Sequence, residues 1–161
     1  MLEQLFTFVS TAHKGTREQF VAQYPEPVFV VDAFAEDGAG KFGTIAGPAA
    51  AGQETTVARI RKRAGANAFD MMVTIGRARN NDIEIRSQDV SKFHAYVMFA
   101  GTEASITDAG STFGTFVRGQ KLRPREDKLS LKAGDEVKLG SVRLTYHTAA
   151  TFYEFLRKPG A

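Results

Sequence analysis

The side chains of this chain best suited to chemistry are those that would hold an anion. Arg77, Ser91 and Thr112 stand at the edges of short apolar runs, with His94 close by in sequence. A phosphate dianion is best held by a fixed fork of N–H donors joined by compact hydroxyl donors. Each charge-assisted bond of this kind contributes roughly 1.5–3 kcal/mol. Arginine supplies the fork, and serine and threonine supply the hydroxyls. Such a set binds phosphate without reacting with it. The parts needed for turnover are missing. Ser91 and His94 are three residues apart, but no orienting carboxylate motif or nucleophile elbow accompanies them. No Gly-x-x-x-x-Gly-Lys phosphate loop occurs either. There is no cysteine, and His13, His94 and His147 are scattered without metal-ligand spacing. No catalytic residue, metal or cofactor is expected.

Loops that meet around one phosphate must be carried by a rigid scaffold. From Thr55 onward the chain reads as β-structure. Strands are expected at Val57–Lys62, Met71–Ile75, Ile83–Ile85, Ala95–Phe99, Ala104–Asp108, Thr115–Val117, Lys121–Leu122, Glu136–Leu139 and Val142–Tyr146, each short and bounded by turn residues. Ala100-Gly101-Thr102 and Gly140-Ser141 read as tight hairpin turns, and Lys132-Ala133-Gly134-Asp135 as a further turn. Many short strands with regular turns predict a sandwich, which gathers loops at one end. Upstream, Leu2, Leu5, Phe6 and Val9 follow helical spacing. Thr16 with Gln19 predicts a capping box for a second helix that buries Phe20 and Val21 and stops at Pro25. Pro27–Phe34 reads as a strand, and Glu36–Gly52, rich in Gly and Ala, as a loop. A last helix near Ala149–Arg157, with Phe152, Phe155 and Leu156 on one side, is expected to clasp the sandwich, and the tail 158–161 to fray. The expected organisation is an N-terminal extension over residues 1–52 packing on the sandwich, the sandwich over 53–148, and a helix and tail over 149–161.

Composition fits this picture. The chain has 161 residues, 43% hydrophobic and 24% charged, which suits one soluble domain with a real core. A net charge of +3 suits an anionic partner and is weak for a dedicated DNA binder. Arg59, Arg61, Lys62 and Arg63 form a basic cluster, and strand alternation would place the three arginines on one face. No stacking aromatics interleave with them, so nucleic acid is not expected as a partner. The start Met1-Leu2-Glu3-Gln4 lacks the charged region of a signal peptide, and no apolar stretch is long enough to span a membrane. The expected location is the cytoplasm.

Four blocks, in order, carry a family resemblance: Gly76-Arg77, Asn81-Asp82-Ile83, Ser91-x-x-His94-Ala95, and Asp108-x-Gly110-Ser111-Thr112-x-Gly114-Thr115. Together they resemble a forkhead-associated (FHA) domain, over about Thr55 to Tyr146, leaving residues 1–50 unaccounted for. The resemblance implies a β-sandwich of about eleven strands that binds phosphothreonine peptides through loops at one end. It implies that Arg77 grips the phosphate, that Ser91 and Thr112 donate to it, and that Lys92 reaches the ligand. Arg79 and Ser111 would contact the peptide or shape its loops. Gly76, Asn81, His94 and Gly114 would be structural, with His94 bracing the loop of Ser91. The implied partner is a phosphothreonine-containing protein in Ser/Thr-kinase signalling, bound without catalysis.

One position departs from the family pattern. Phe113 stands where the family usually has an Asn that bonds the ligand backbone. Losing those bonds would cost about 1–3 kcal/mol. Alternatively Phe113 is an apolar partner contact, or it turns inward and remodels its loop. A divergent scaffold that binds a protein without phosphate, or self-associates, is therefore the second functional reading. Arg79, Arg86 and Arg118 could steer an anion or be ordinary solvated charge. Glu54-Thr55-Thr56-Val57 is similar to the self-regulatory phosphorylation site of some small bacterial FHA proteins, and is equally good strand sequence.

Overall fold

The computed structural model describes residues 1–34 and 54–160. The loop expected over Glu36–Gly52 lies outside the described residues, as does Ala161. In chain order the elements are β1 (Glu3–Gln4), α1 (Leu5–Lys14), α2 (Arg17–Gln23), β2 (Val28–Val31), β3 (Thr56–Arg59), β4 (Val73–Gly76), β5 (Ile83–Glu84), β6 (Ala95–Ala100), β7 (Glu103–Asp108), β8 (Thr115–Val117), β9 (Gln120–Lys121), β10 (Leu129–Ser130), β11 (Glu136–Leu139), β12 (Val142–His147) and α3 (Ala149–Leu156). They form a seven-stranded sheet, β1-β3-β2-β12-β11-β8-β9, facing a five-stranded sheet, β10-β7-β6-β4-β5.

β2 explains the layering. Its Val-Phe-Val-Val run is buried on both faces, so it reads as continuous apolar sequence rather than alternation. Phe29 and Val31 point into the core between the sheets, with Ile75, Val97, Ile106 and Leu144. Val28 and Val30 point the other way, into a second core with Phe8, Phe20, Phe152 and Leu156. The molecule thus has three layers: helices, the long sheet and the short sheet. β2 lies between β3 and β12, pairing Val30 with Val57 and with Thr145. Residues 28–31 are therefore a central strand of the sandwich, not part of an extension packing on it as the division at 52/53 implied.

The helices are set by local devices and then by aromatic packing. Thr16 and Gln19 form the expected capping box, with Thr16 N–H bonding Gln19 Oε1 at 2.9 Å. Phe8 meets Phe152 edge-on at 5.4 Å, and Phe20 lies 5.5 Å from Tyr153. Of the four residues read as helically spaced, only Leu5 and Val9 pack inward from α1. Phe8 and Ala12 are buried with Leu5 and Val9 beside them, while Phe6 is 66% exposed and Leu2 precedes the helix. The cause is β1: Glu3 and Gln4 pair with Val57 and Thr56, so the helix begins only at Leu5. Thr56 is accordingly a strand residue, paired with Gln4 and Val31.

The arginines of the basic cluster do not share a strand face. β3 ends at Arg59, and Arg61 N–H turns back onto Arg59 O at 3.0 Å. Arg59 pairs with Glu3 at 2.7 Å, Arg61 with Glu26 at 3.4 Å and Lys62 with Asp82 at 2.7 Å, while Arg63 donates to the Arg79 carbonyl. β1 and β10, two residues each, were not expected. Strands that short carry no alternation to read.

Candidate functional site

The register of both sheets sends three loops off the same end. Ile75 opposes Ala95, Ala95 opposes Asp108, and Thr115 opposes Leu139. The segments after β4, before β6 and between β7 and β8 therefore meet. Arg77 N–H donates to Ser91 O at 2.9 Å, and Arg77 Nε donates to Val90 O at 3.1 Å. Thr112 N–H donates to Ser91 Oγ at 3.0 Å. Arg77 and Thr112 are thus each tied to Ser91, although they lie far apart in the sequence. A hydroxyl that accepts one bond keeps its own proton for donation. Ser91 is in that state.

Three braces hold these loops. His94 is fully buried; its Nδ1 accepts the Ser91 N–H at 3.0 Å, and its Nε2 lies 3.0 Å from Gly114 O. Those partners require the proton on Nε2, and burial pushes the pKa down, so the ring stays neutral. With both nitrogens bonded to backbone, His94 is a clamp between the Ser91 and Gly114 loops. Asp108 is the second brace. Its carboxylate accepts from Ser111 Oγ at 2.5 Å, Thr115 Oγ1 at 2.7 Å, Gly110 N–H at 2.9 Å and Ser111 N–H at 3.0 Å. Burial alone would raise its pKa, but these bonds, led by those from Ser111 and Thr115, outweigh it and hold the carboxyl below its usual range. Ser111 Oγ also accepts from Gly114 N–H at 3.0 Å, so this hydroxyl shapes the loop from within.

Asn81 is the third brace. It is buried, and its Nδ2 bonds Ala78 O at 2.8 Å and Lys92 O at 2.6 Å, joining the loop after β4 to the loop of Ser91. That crossing explains Gly76. A Cβ there would sit 2.3 Å from Lys92 O and 2.9 Å from Asn81 Nδ2. Gly114 has φ +91°, a region glycine enters freely, and a Cβ would also meet Lys121 Cε at 2.8 Å.

Lys92, Arg79 and Thr112 present exposed side chains at this end. Phe113 is 54% exposed and does not turn inward. Arg118 sits in the β8–β9 turn at the far end of β8 and pairs with Asp135, so it is remote from these loops. Arg86 pairs with Glu84 at 2.6 Å. Two basic residues were not singled out from the sequence. The Lys121 stem packs beside Gly114, and the Arg125 guanidinium lies against Gly110 with Nε 3.4 Å from Ala109 O. They come from β9 and the segment after it, and no spacing links them to the four blocks. Among the described residues no cluster of His, Cys, Asp and Glu could hold a metal ion, and no helix is long and apolar enough to cross a membrane.

The family model described as FHA domain matches residues 73–140, which spans all three loops. The glycogen accumulation regulator GarA of Mycobacterium tuberculosis is 31% identical over 117 residues, covering 63% of this chain and 70% of that protein. The chain belongs to the FHA domain family. A mouse relative, the angiogenic factor with G patch and FHA domains 1, is 41% identical over 81 residues; the match covers 46% of this chain and 11% of that much longer protein. Among solved structures, the N-terminal FHA domain of S. cerevisiae Rad53p, determined with a phosphothreonine peptide, superimposes with a TM-score of 0.52 at 15% identity. That match covers 81% of this chain and 98% of the yeast one, and it speaks for the fold. The expected β-sandwich is therefore the fold of this FHA domain, with three helices added.

Proposed function

We propose that this FHA domain is a phosphothreonine-peptide-binding module of Ser/Thr-kinase signalling and does no catalysis. The observation that supports the reading is the linkage of Arg77 and Thr112 through Ser91 at one end of the sandwich. In it Arg77 grips the phosphate, and the hydroxyls of Ser91 and Thr112 donate to it. Lys92 and Arg79 stand where they would meet the flanking peptide. Gly76, Asn81, His94, Ser111 and Gly114 keep the loops in place. His94 is unsuited to act as a base, because both its nitrogens are held by backbone. The partner is a phosphothreonine-containing protein, met in the cytoplasm, with neither membrane nor nucleic acid involved.

Arg77→Ala removes the fork, and loss of about 3 kcal/mol or more corresponds to roughly 100-fold or more in affinity. Titration calorimetry with matched phosphorylated and unphosphorylated peptides is the test. Equal binding of the two peptides by the native protein would overturn the reading.

The exposure of Phe113 favours a second reading, an FHA scaffold that holds its partner without phosphate or self-associates. Phe113→Asn separates the cases. Restoring an amide should tighten phosphopeptide binding about 5- to 150-fold if the missing bonds are the defect. Weakened binding would mean that the ring itself contacts the partner.

A further inference from the structure

An aromatic row begins beside the phosphate loops and leaves them along the outside of the short sheet. Phe93 follows Lys92 directly. It stacks on Phe69 at 6.0 Å between ring centroids and 15° between planes, and it meets Tyr96 at 6.2 Å. On β6, Ala95 and Val97 point into the core between the sheets, so Tyr96 points outward. Phe69 is 50% exposed, Phe93 37% and Met71, in the turn after Phe69, 74%. None of these is needed to fill either core.

The row is held stiffly. Asn67 Oδ1 accepts the Phe69 N–H at 3.1 Å. Asn67 Nδ2 donates to Thr74 Oγ1 at 3.1 Å and to Asn80 O at 3.0 Å, which fixes this turn to the loop after Arg77. Lys62 Nζ bonds Asn67 Oδ1 at 2.9 Å, Met72 O at 2.9 Å and the buried Asp82 carboxylate at 2.7 Å, closing both sides of the turn. A polar network this complete positions apolar rings in water. Exposed rings gain little from the fold and are suited to cover by a partner.

We infer that the Phe69–Phe93–Tyr96 row is a second contact site, which takes an apolar or aromatic side chain of the same partner whose phosphothreonine sits at Arg77 and Ser91. It rests on the phosphothreonine reading above. Area decides the occupant. Rings of about 150–250 Å², exposed to this extent, together with Met71 offer on the order of 300 Å². A stable dimer or stand-alone complex needs about 800 Å² per partner. The row is too small to hold a partner by itself. It is large enough to add to a partner already anchored at the phosphate, where the second contact faces an effective concentration of about millimolar. Continuity supplies the anchor, since Ser91, Lys92 and Phe93 are consecutive.

The test is a set of phosphothreonine peptides with uniform polar flanks, in which one Leu or Phe is scanned outward from the phosphothreonine in both directions. At some position the apolar peptide should bind the native protein tighter than the all-polar one, by about 2- to 12-fold for one aromatic contact. Phe69→Ser and Phe93→Ser should erase that gain and leave the all-polar affinity unchanged. Phe6→Ser, an exposed change on α1, should alter nothing. Phosphate-dependent binding with no gain at any position, or a gain that survives both substitutions, overturns the second site while leaving the phosphothreonine reading intact. Failure of Arg77→Ala to weaken any peptide overturns that reading itself. A native dimer in sedimentation that Phe69→Ser disperses would give the row to a second copy and overturn the inference.

Discussion

The loop end and the helical layer of this protein are ordered by different forces. At the loop end, around Arg77, Ser91 and Thr112, direction does the ordering: Asp108 takes four hydrogen bonds, Asn81 bridges the loop after β4 to the Ser91 loop, and His94 clamps the Ser91 loop to the Gly114 loop. In the helical layer, Phe8, Phe20 and Phe152 converge on the back of β2, and area does the ordering. Hydrogen bonds fix loops at positions an anion can use, because they hold both distance and angle. Packed rings fix a layer but leave no donors facing outward. A recognition surface built from the first kind and supported by the second follows from that difference.

The contrast can be broken at its apolar side first. Phe152→Ala should cost about 3–5 kcal/mol in urea unfolding, since it empties the centre of the aromatic group. Phosphopeptide affinity of the folded fraction should hardly change. A large loss of affinity in that variant would mean that the two regions are coupled. Next in size, Asp108→Asn places an amide N–H₂ where the carboxylate now accepts four donors. It should destabilise by about 2–3 kcal/mol and abolish peptide binding together. Retained binding would show that the loop does not depend on this carboxylate.

The smallest effect concerns two histidines. His147 is buried at the end of β12, its ring 5.1 Å from Phe155, and both nitrogens lack a hydrogen-bond partner among the described residues. Burial first, and Lys158 second, push its pKa below the ordinary value of 6.5. At neutral pH and above, folded and unfolded chains both keep the ring neutral. As pH falls through 6.5 the unfolded chain takes the proton first, so stability is lost from there downward until the folded pKa is passed. Burial shifts His94 the same way, so its contribution has the same sign. His147→Phe should therefore flatten the acid slope by up to ~1.4 kcal/mol per pH unit, in denaturant titrations between pH 7 and pH 5. It should leave the pH dependence of peptide binding untouched. An unchanged stability slope would show that the clasp tolerates the charged ring.

The loop end was legible as a family resemblance carried by four blocks, and part of its bracing is local. Ser91-x-x-His94 and Asp108-x-x-Ser111 each place a side chain within reach of backbone three residues away, as Thr16 does for Gln19. Such spacings are set by chain geometry and survive any tertiary context. The first helix was expected, but its start was placed too early, because Glu3 and Gln4 joined the sheet and delayed it to Leu5. The arginines at 59, 61 and 63 were misplaced because the strand ends at the first of them. Neither ending carries a Pro or Gly signal.

By itself, the sequence determined the strand-and-turn pattern, the capping box, and the four blocks that hold Arg77, Ser91 and Thr112 on loops. The strand pattern and the capping box depend on contacts a few residues long, where residue type dictates geometry, and the four blocks were legible as a resemblance to the FHA family. Only the tertiary structure decided that β2 is a central strand with a core on each face, that Lys121 and Arg125 stand beside the 109–114 loop, that Phe113 faces solvent, and that Phe69, Phe93 and Tyr96 form one row. Those relations depend on how different strands and loops are brought together. They follow from how sheets pair and layers pack, and no local spacing encodes them.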